Sequence, residues 1–302
     1  ASWSGAVSAG DAAGADDASD TRPPEGADVA ALVVDDIDVF IDGQGDETLV
    51  MIHGWPDTPA LWDGTVAALA DRHRCARFHL PGFDLGKPPR PVSVATMTDL
   101  IRQIVDAVSP DRPVTLVLHD WGCFFGYEYA ARQPQRVARV VGTDIGDTNS
   151  GAYLSSLRFK EKLMIAGYQL WLATAWKLGP VLPGLADRMT RFMARNIGCR
   201  TPPERMGWQM NYPYAMQWFG SYGGLRGVAR VDKVFGPQIP TLFCFGKRKP
   251  FMFHSARWLA ALGTTPGSRV QGFDAGHWLM HQKPEQFHAT VRVWLDDSTG
   301  AA

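Results

Sequence analysis

Cysteine is scarce in this chain, an excess of either charge and long apolar runs are missing from it, and each shortage removes a class of function. Cys75, Cys123, Cys199 and Cys244 are the only cysteines among 302 residues, and no two form a C-x-x-C pair. This excludes a zinc knot or a disulfide framework and leaves reduced, buried thiols in a cytoplasmic protein as the expectation. Thirty Lys and Arg against 31 Asp and Glu give a formal net charge of -1, so neither nucleic acid nor an anionic membrane is expected as a partner. No apolar stretch approaches the roughly 18 to 20 residues of a membrane span, the first residues show no basic start followed by an apolar segment, and no internal repeat is evident. Nothing in the pattern speaks to oligomeric state. What is present is apolar material, 45% hydrophobic and 11% aromatic, enough for a full core and an inserted segment around a small, neutral ligand.

Residues 1–28 are dominated by Ala, Gly, Asp and Ser and read as a flexible tail. Strand-like runs follow at 37–41 and 48–52, with Gly43-Gln44-Gly45-Asp46 between them as a hairpin turn. A helix at 61–70, a strand at 75–80, a helix at 94–108, a strand at 114–119, a helix after Asp120 and a strand at 137–143 continue the alternation. That order predicts an α/β fold, a mostly parallel doubly wound sheet with helices on both faces. The rhythm stops from about 148 to 235, where the chain turns helical and rich in Trp, Met and Tyr, and resumes with strands at 241–245 and 269–273 and a last helix from 284. The expected organisation is therefore a core of residues 29–147 and 236–302 with a helical cap, 148–235, inserted over the carboxyl end of the sheet.

Asp120 carries the chemistry. It sits between the apolar strand Val114–His119 and the Gly-rich run Trp121-Gly122-Cys123-Phe124-Phe125-Gly126, a strand-turn-helix setting that exposes a nucleophile on a sharp elbow. A carboxylate attacking a carbonyl gives a labile anhydride, whereas one attacking an sp3 carbon with a leaving group gives an ordinary ester that water can cleave. Ester, amide and lipid hydrolysis are thus disfavoured. Two further runs fit this nucleophile. His53-Gly54-Trp55-Pro56 ends an apolar strand in a Gly turn, so the backbone N–H groups of Trp55 and Trp121 can form an oxyanion hole. His277, in Gly276-His277-Trp278 after the last strand, can take a proton from water attacking the ester. The other seven histidines read as packing or capping residues.

In this order HGWP at 53–56, HDWG at 119–122 and GHW at 276–278 make residues 30–297 resemble the α/β-hydrolase superfamily, in its aspartate-nucleophile branch of epoxide hydrolases and haloalkane dehalogenases. The resemblance implies alkylation of Asp120 by substrate, hydrolysis of that ester by water activated by His277, and no metal or organic cofactor. Many members keep an acid after the penultimate strand, where this chain has Gly246-Lys247-Arg248-Lys249-Pro250. Other members, a subset of haloalkane dehalogenases, keep it after the strand that follows the elbow helix. Asp144 stands there and is the expected partner of His277, with Asp147 and Asp274 as runners-up. Lys247, Arg248 and Lys249 read as a solvated loop face.

The two branches differ in the leaving group. An alkoxide from an epoxide needs an acid, and by resemblance one tyrosine comes from an early cap helix and one from near its end, matching Tyr168 and then Tyr212 or Tyr214; Tyr153 and Tyr222 also lie in the segment. A halide needs only N–H donors, which a Trp55 and Trp121 indole pair could supply. HGWP places epoxide hydrolysis first, giving a diol, with haloalkane dehalogenation as the alternative; a binding protein, or a cofactor-free lyase or oxygenase, is a third. The apolar composition of the cap suits a small lipophilic substrate that reacts with water in a dry pocket.

Overall fold

The computed structural model describes residues 30–220 and 238–298. The predicted tail 1–28, and the part of the predicted cap beyond residue 220 including Tyr222, lie outside them. Eight strands form one sheet in the order β1-β2-β4-β3-β5-β6-β7-β8, and only β1 and β2 run antiparallel to their neighbours. The strands are β1 (Ala30–Val34), β2 (Ile37–Asp42), β3 (Thr48–Ile52), β4 (Arg74–Phe78), β5 (Val114–His119), β6 (Val137–Thr143), β7 (Thr241–Gly246) and β8 (Arg269–Phe273).

Every residue of β3 and β5 is buried, as both-face coverage of a parallel sheet requires. Alternation divides them: Val50, Ile52, Leu116 and Leu118 join the core on one face, while Leu49, Met51 and Val117 join that on the other. Helices α1 (Asp63–Leu69), α2 (Val94–Val108), α3 (Trp121–Arg132), α8 (Ala256–Thr264), α9 (Leu279–Gln282) and α10 (Pro284–Ser298) complete the layers. Between β6 and β7 lie α4 (Gly151–Ser156), α5 (Phe159–Leu178), α6 (Pro183–Asn196) and α7 (Tyr212–Phe219).

One local expectation is corrected. Gly43–Asp46 does not close a hairpin, because β4 lies between β2 and β3. The hairpin is β1–β2, whose turn residues Asp35 and Asp36 take φ of 48° and 62°. Two positive φ values in succession suit the twist of a two-residue hairpin, and Asp is among the few side chains that tolerate them.

The order also decides where ligands can bind. From β3 the chain moves outward to β4, then returns to β5 on the opposite side of β3. A switch of this kind opens a crevice beyond the carboxyl ends of the two strands. Ile52 pairs with Leu118, His119 with Thr143 and Thr143 with Cys244, so the residues that follow β3, β5, β6 and β7 emerge side by side.

Candidate active site

Asp120 leaves β5 with φ 51° and ψ -122°, a conformation that strains a side-chain-bearing residue and lifts its carboxylate off the end of the sheet. Neighbouring glycines make the room. A Cβ on Gly54 would stand 2.5 Å from the Asp120 side chain, and one on Gly122 2.2 Å from the Ile52 carbonyl oxygen. The Trp55 backbone N–H donates to Asp120 Oδ1 at 2.7 Å, and the Trp121 backbone N–H nearby also favours the charged carboxylate. Burial pushes the Asp120 carboxyl up, but hydrogen bonding to His277 and the positive surroundings pull it further down, below the ordinary aspartate value. The group is an anion at neutral pH.

His277 lies between two carboxylates. Its Nε2 is 3.4 Å from Asp120 Oδ2, and its Nδ1 donates to Asp144 Oδ2 at 2.5 Å. Asp144, with φ 71°, turns inward from β6; its Oδ1 accepts from the Gly246 backbone N–H at 3.0 Å and from the Lys249 ammonium. Asp147 instead accepts from Ser150 and Ser255 as a loop clamp, and Asp274 is solvent-exposed beside Arg248. Neither approaches the imidazole.

Lys249 is the main surprise. Rather than joining a solvated face, its side chain is only 6% exposed, with Nζ 5.0 Å from the centre of the Phe253 ring and paired with Asp144. Burial lowers its pKa, against which the Asp144 charge acts. The sequence shows three successive cations and no periodicity that would select this one. The physical reason is that Asp144 bears one negative charge in a site with no solvent, and a second cation beside His277 helps to neutralise it.

Burial disfavours charge on His277, but hydrogen bonds and charge from Asp120 and Asp144 outweigh it and raise the pKa from 6.5 to about 9. A folded-state value above the unfolded one stabilises the fold fully below pH 6.5 and is lost as pH rises through about 9. Denaturant titrations should therefore show stability falling between pH 6.5 and 9.5 by an amount on the order of 2 kcal/mol that is missing in His277→Gln. An equal fall in both proteins would remove His277 as its source.

Behind this row is a second buried one. Asp57 accepts from the Trp278 indole and Thr201 hydroxyl at 2.8 and 2.7 Å, and lies 3.8 Å from His119 Nδ1. His119 Nε2 reaches the His277 carbonyl at 3.3 Å, which makes it the donor and ties the end of β5 to the loop that carries His277. His53 accepts from the Leu80 N–H through Nε2 at 3.1 Å and locks the Gly54 turn. Burial brings both histidines down to about 3, so both are neutral scaffolding.

A cavity of about 120 Å³ opens over Asp120, lined by Trp121, Phe124, Ile145, Tyr153, Tyr168, Tyr214 and Phe253 among others. Tyr214 packs edge-on against Trp55, Trp121 and Tyr168 with ring centres 5.6, 5.3 and 6.0 Å apart. Burial, then the Asp120 charge, raises its phenol well above 10 and raises that of Tyr168 too. Both stay protonated. Tyr212 departs from expectation: it points away from the cavity, onto Phe83 at 6.0 Å, because positions two apart on a helix lie on different faces. One indole is also committed, Trp55 Nε1 donating to Asn211 Oδ1 at 2.7 Å. Asn211 drew no notice in the sequence, since an Asn before a helix ordinarily reads as a cap.

Comparison with known proteins places the fold. The model of the alpha/beta hydrolase fold family matches residues 47–284. The Mycobacterium tuberculosis protein named Probable oxidoreductase EphD is 38% identical over 109 residues, which are 35% of this chain and 18% of that protein, so the match spans under a fifth of that relative. The cis-3-alkyl-4-alkyloxetan-2-one decarboxylase of Shewanella oneidensis is 25% identical over 282 residues, 85% of this chain and 84% of that one. An epoxide hydrolase from Bacillus megaterium, solved in complex with an inhibitor, superposes with a TM-score of 0.62 at 19% identity, covering 88% of this chain and 100% of that one. At that identity the likeness is one of fold.

Proposed function

The chain belongs to the α/β-hydrolase fold family, and from that premise we propose that it hydrolyses a small lipophilic epoxide to a vicinal diol through an alkyl ester on Asp120. The observation that carries this is the pair of protonated phenols, Tyr168 and Tyr214, lining one small cavity with an ionised carboxylate. Oδ1 is held by the Trp55 N–H, so Oδ2 attacks the less hindered ring carbon. The C–O bond breaks, its electron pair passes to oxygen, and a tyrosine O–H protonates the developing alkoxide. Ester formation removes the Asp120 charge that held the proton on His277. The imidazolium then reprotonates the phenolate and becomes the neutral base.

Water gives its proton to His277 Nε2 and attacks Asp120 Cγ. The tetrahedral oxyanion forms on Oδ1, where the Trp55 N–H already donates and the Trp121 N–H would turn to join it. Collapse expels the second alkoxide, which takes the remaining water proton from the regenerated Asp120 carboxyl to give the diol and leaves Asp120 ionised and His277 protonated, as at the start. Asp144 holds the imidazole throughout, and Lys249 holds Asp144. The Trp55 indole cannot join Trp121 as a halide donor without breaking its 2.7 Å bond to Asn211, which sets dehalogenation second.

A panel of terminal epoxides and 1-haloalkanes, with diol and halide followed separately, tests the assignment. An oxetan-2-one belongs in the panel because the Shewanella relative is named for such a ring. Diol without halide is expected. Tyr214→Phe and Tyr168→Phe should each lower diol formation about 10- to 100-fold, while Tyr212→Phe stays within about twofold, having no part in proton transfer. Halide release alone, or CO2 from the oxetanone alone, would overturn epoxide hydrolysis.

A further inference from the structure

The net charge of -1 hides an uneven distribution. Residues 151–220 carry nine lysines and arginines against three acidic residues, so the rest of the chain is acidic. The same segment holds nine of the twelve large apolar side chains that stand exposed among the described residues. On α5 the outward Phe159, Leu163, Leu170 and Trp171 are 81%, 63%, 37% and 39% exposed. On α6 Leu185 and Phe192 alternate with exposed Arg188 and Arg195 at helical spacing. The Trp171 and Phe192 rings meet at 5.9 Å and join the two rows. Apolar side chains thus project from both sides of α5, since Ile165 and Tyr168 line the cavity, and an apolar outer side calls for a partner.

We propose that this face docks on an anionic lipid surface and that the substrate enters from the lipid. No helix among the described residues is long and apolar enough to cross a membrane; α5 and α6 would lie in the interfacial plane, aromatic and leucine side chains down, cations toward the headgroups. A second copy fits the face less well, because a symmetric contact would set two strongly cationic segments against each other. The cavity wall reaches the surface at α4, the helix just before α5. Leu154, on α4, is 52% exposed and also lines the cavity over Asp120. A lipophilic epoxide dissolved in the leaflet would therefore meet the mouth without crossing water; this source of substrate rests on the epoxide assignment, whereas docking does not.

Cosedimentation of the full chain with vesicles of equal phosphatidylglycerol and phosphatidylcholine, and with phosphatidylcholine alone, tests the surface. Binding is expected to the anionic vesicles and to weaken in about 0.5 M salt. Phe159→Ser with Phe192→Ser should lower the partition coefficient at least about tenfold while diol formation from a water-soluble epoxide is unchanged. Equal sedimentation of wild type and variant, or equal binding to both vesicle types, overturns the inference. So does a dimer that the double variant dissociates and that ignores vesicles, which would give the face to a second copy. Vesicle binding without turnover of any epoxide would retain docking and remove the epoxide assignment.

Discussion

His277→Gln is expected to stop turnover and leave a covalent mark. Mixed with an epoxide, the variant should gain the full mass of the substrate, because ring opening expels no atom, whereas a haloalkane would add its alkyl group and release halide. The first step needs only an ionised Asp120 carboxylate, which the Trp55 N–H still holds. The second needs a base beside the ester, and His277 Nε2, 3.4 Å from Oδ2, is the candidate. Turnover should fall by roughly 10³-fold or more, and the adduct should map to the peptide containing Asp120 and be lost in Asp120→Asn with His277→Gln. An inactive variant that never gains mass, or one whose adduct survives Asp120→Asn, would end the proposal of an alkyl ester at this position.

Much of this arrangement was legible because it is local. An apolar strand ending in His-Gly or His-Asp and followed by a glycine-bearing turn specifies both backbone and exposure, so Asp120, Trp55 and Trp121 could be placed from a few residues each. The convergence of Asp144 and His277 required the sheet order, which the strand-helix alternation supplies for the parallel strands and not for β2, whose neighbours depend on a hairpin read one turn too late. What could not be read depends on which side of an element faces inward. Tyr212 and Tyr214 look equivalent in Asn-Tyr-Pro-Tyr, yet only the second meets the cavity. Lys249 follows two similar cations, and only the loop's return over Asp144 buries it. Total charge is blind to placement for a related reason, and the docking proposal rests on placement. A total charge near zero suggested no affinity for an anionic surface, while the helices between β6 and β7 concentrate cations and exposed apolar side chains together.

Asp144→Asn should damage the protein in two separable ways. Turnover should fall sharply while Asp120 is still alkylated, because the amide cannot stabilise imidazolium or hold the reactive tautomer through its Nδ1–H bond. The fold should also lose about 3 to 5 kcal/mol, since the Lys249 ammonium, 6% exposed, would be left buried without its carboxylate. Asp144→Asn with Lys249→Met removes both charges, so most of the stability should return in a denaturant titration while turnover stays low. Lys249→Met alone keeps the acid and leaves its charge to His277; the imidazolium is then favoured, and the acid limb of the pH–rate profile should move to higher pH. Recovery of turnover along with stability in the double variant would reduce Asp144 to a counterion for Lys249, and a Lys249→Met profile that moves to lower pH would show that the ammonium does not compete with His277 for that carboxylate.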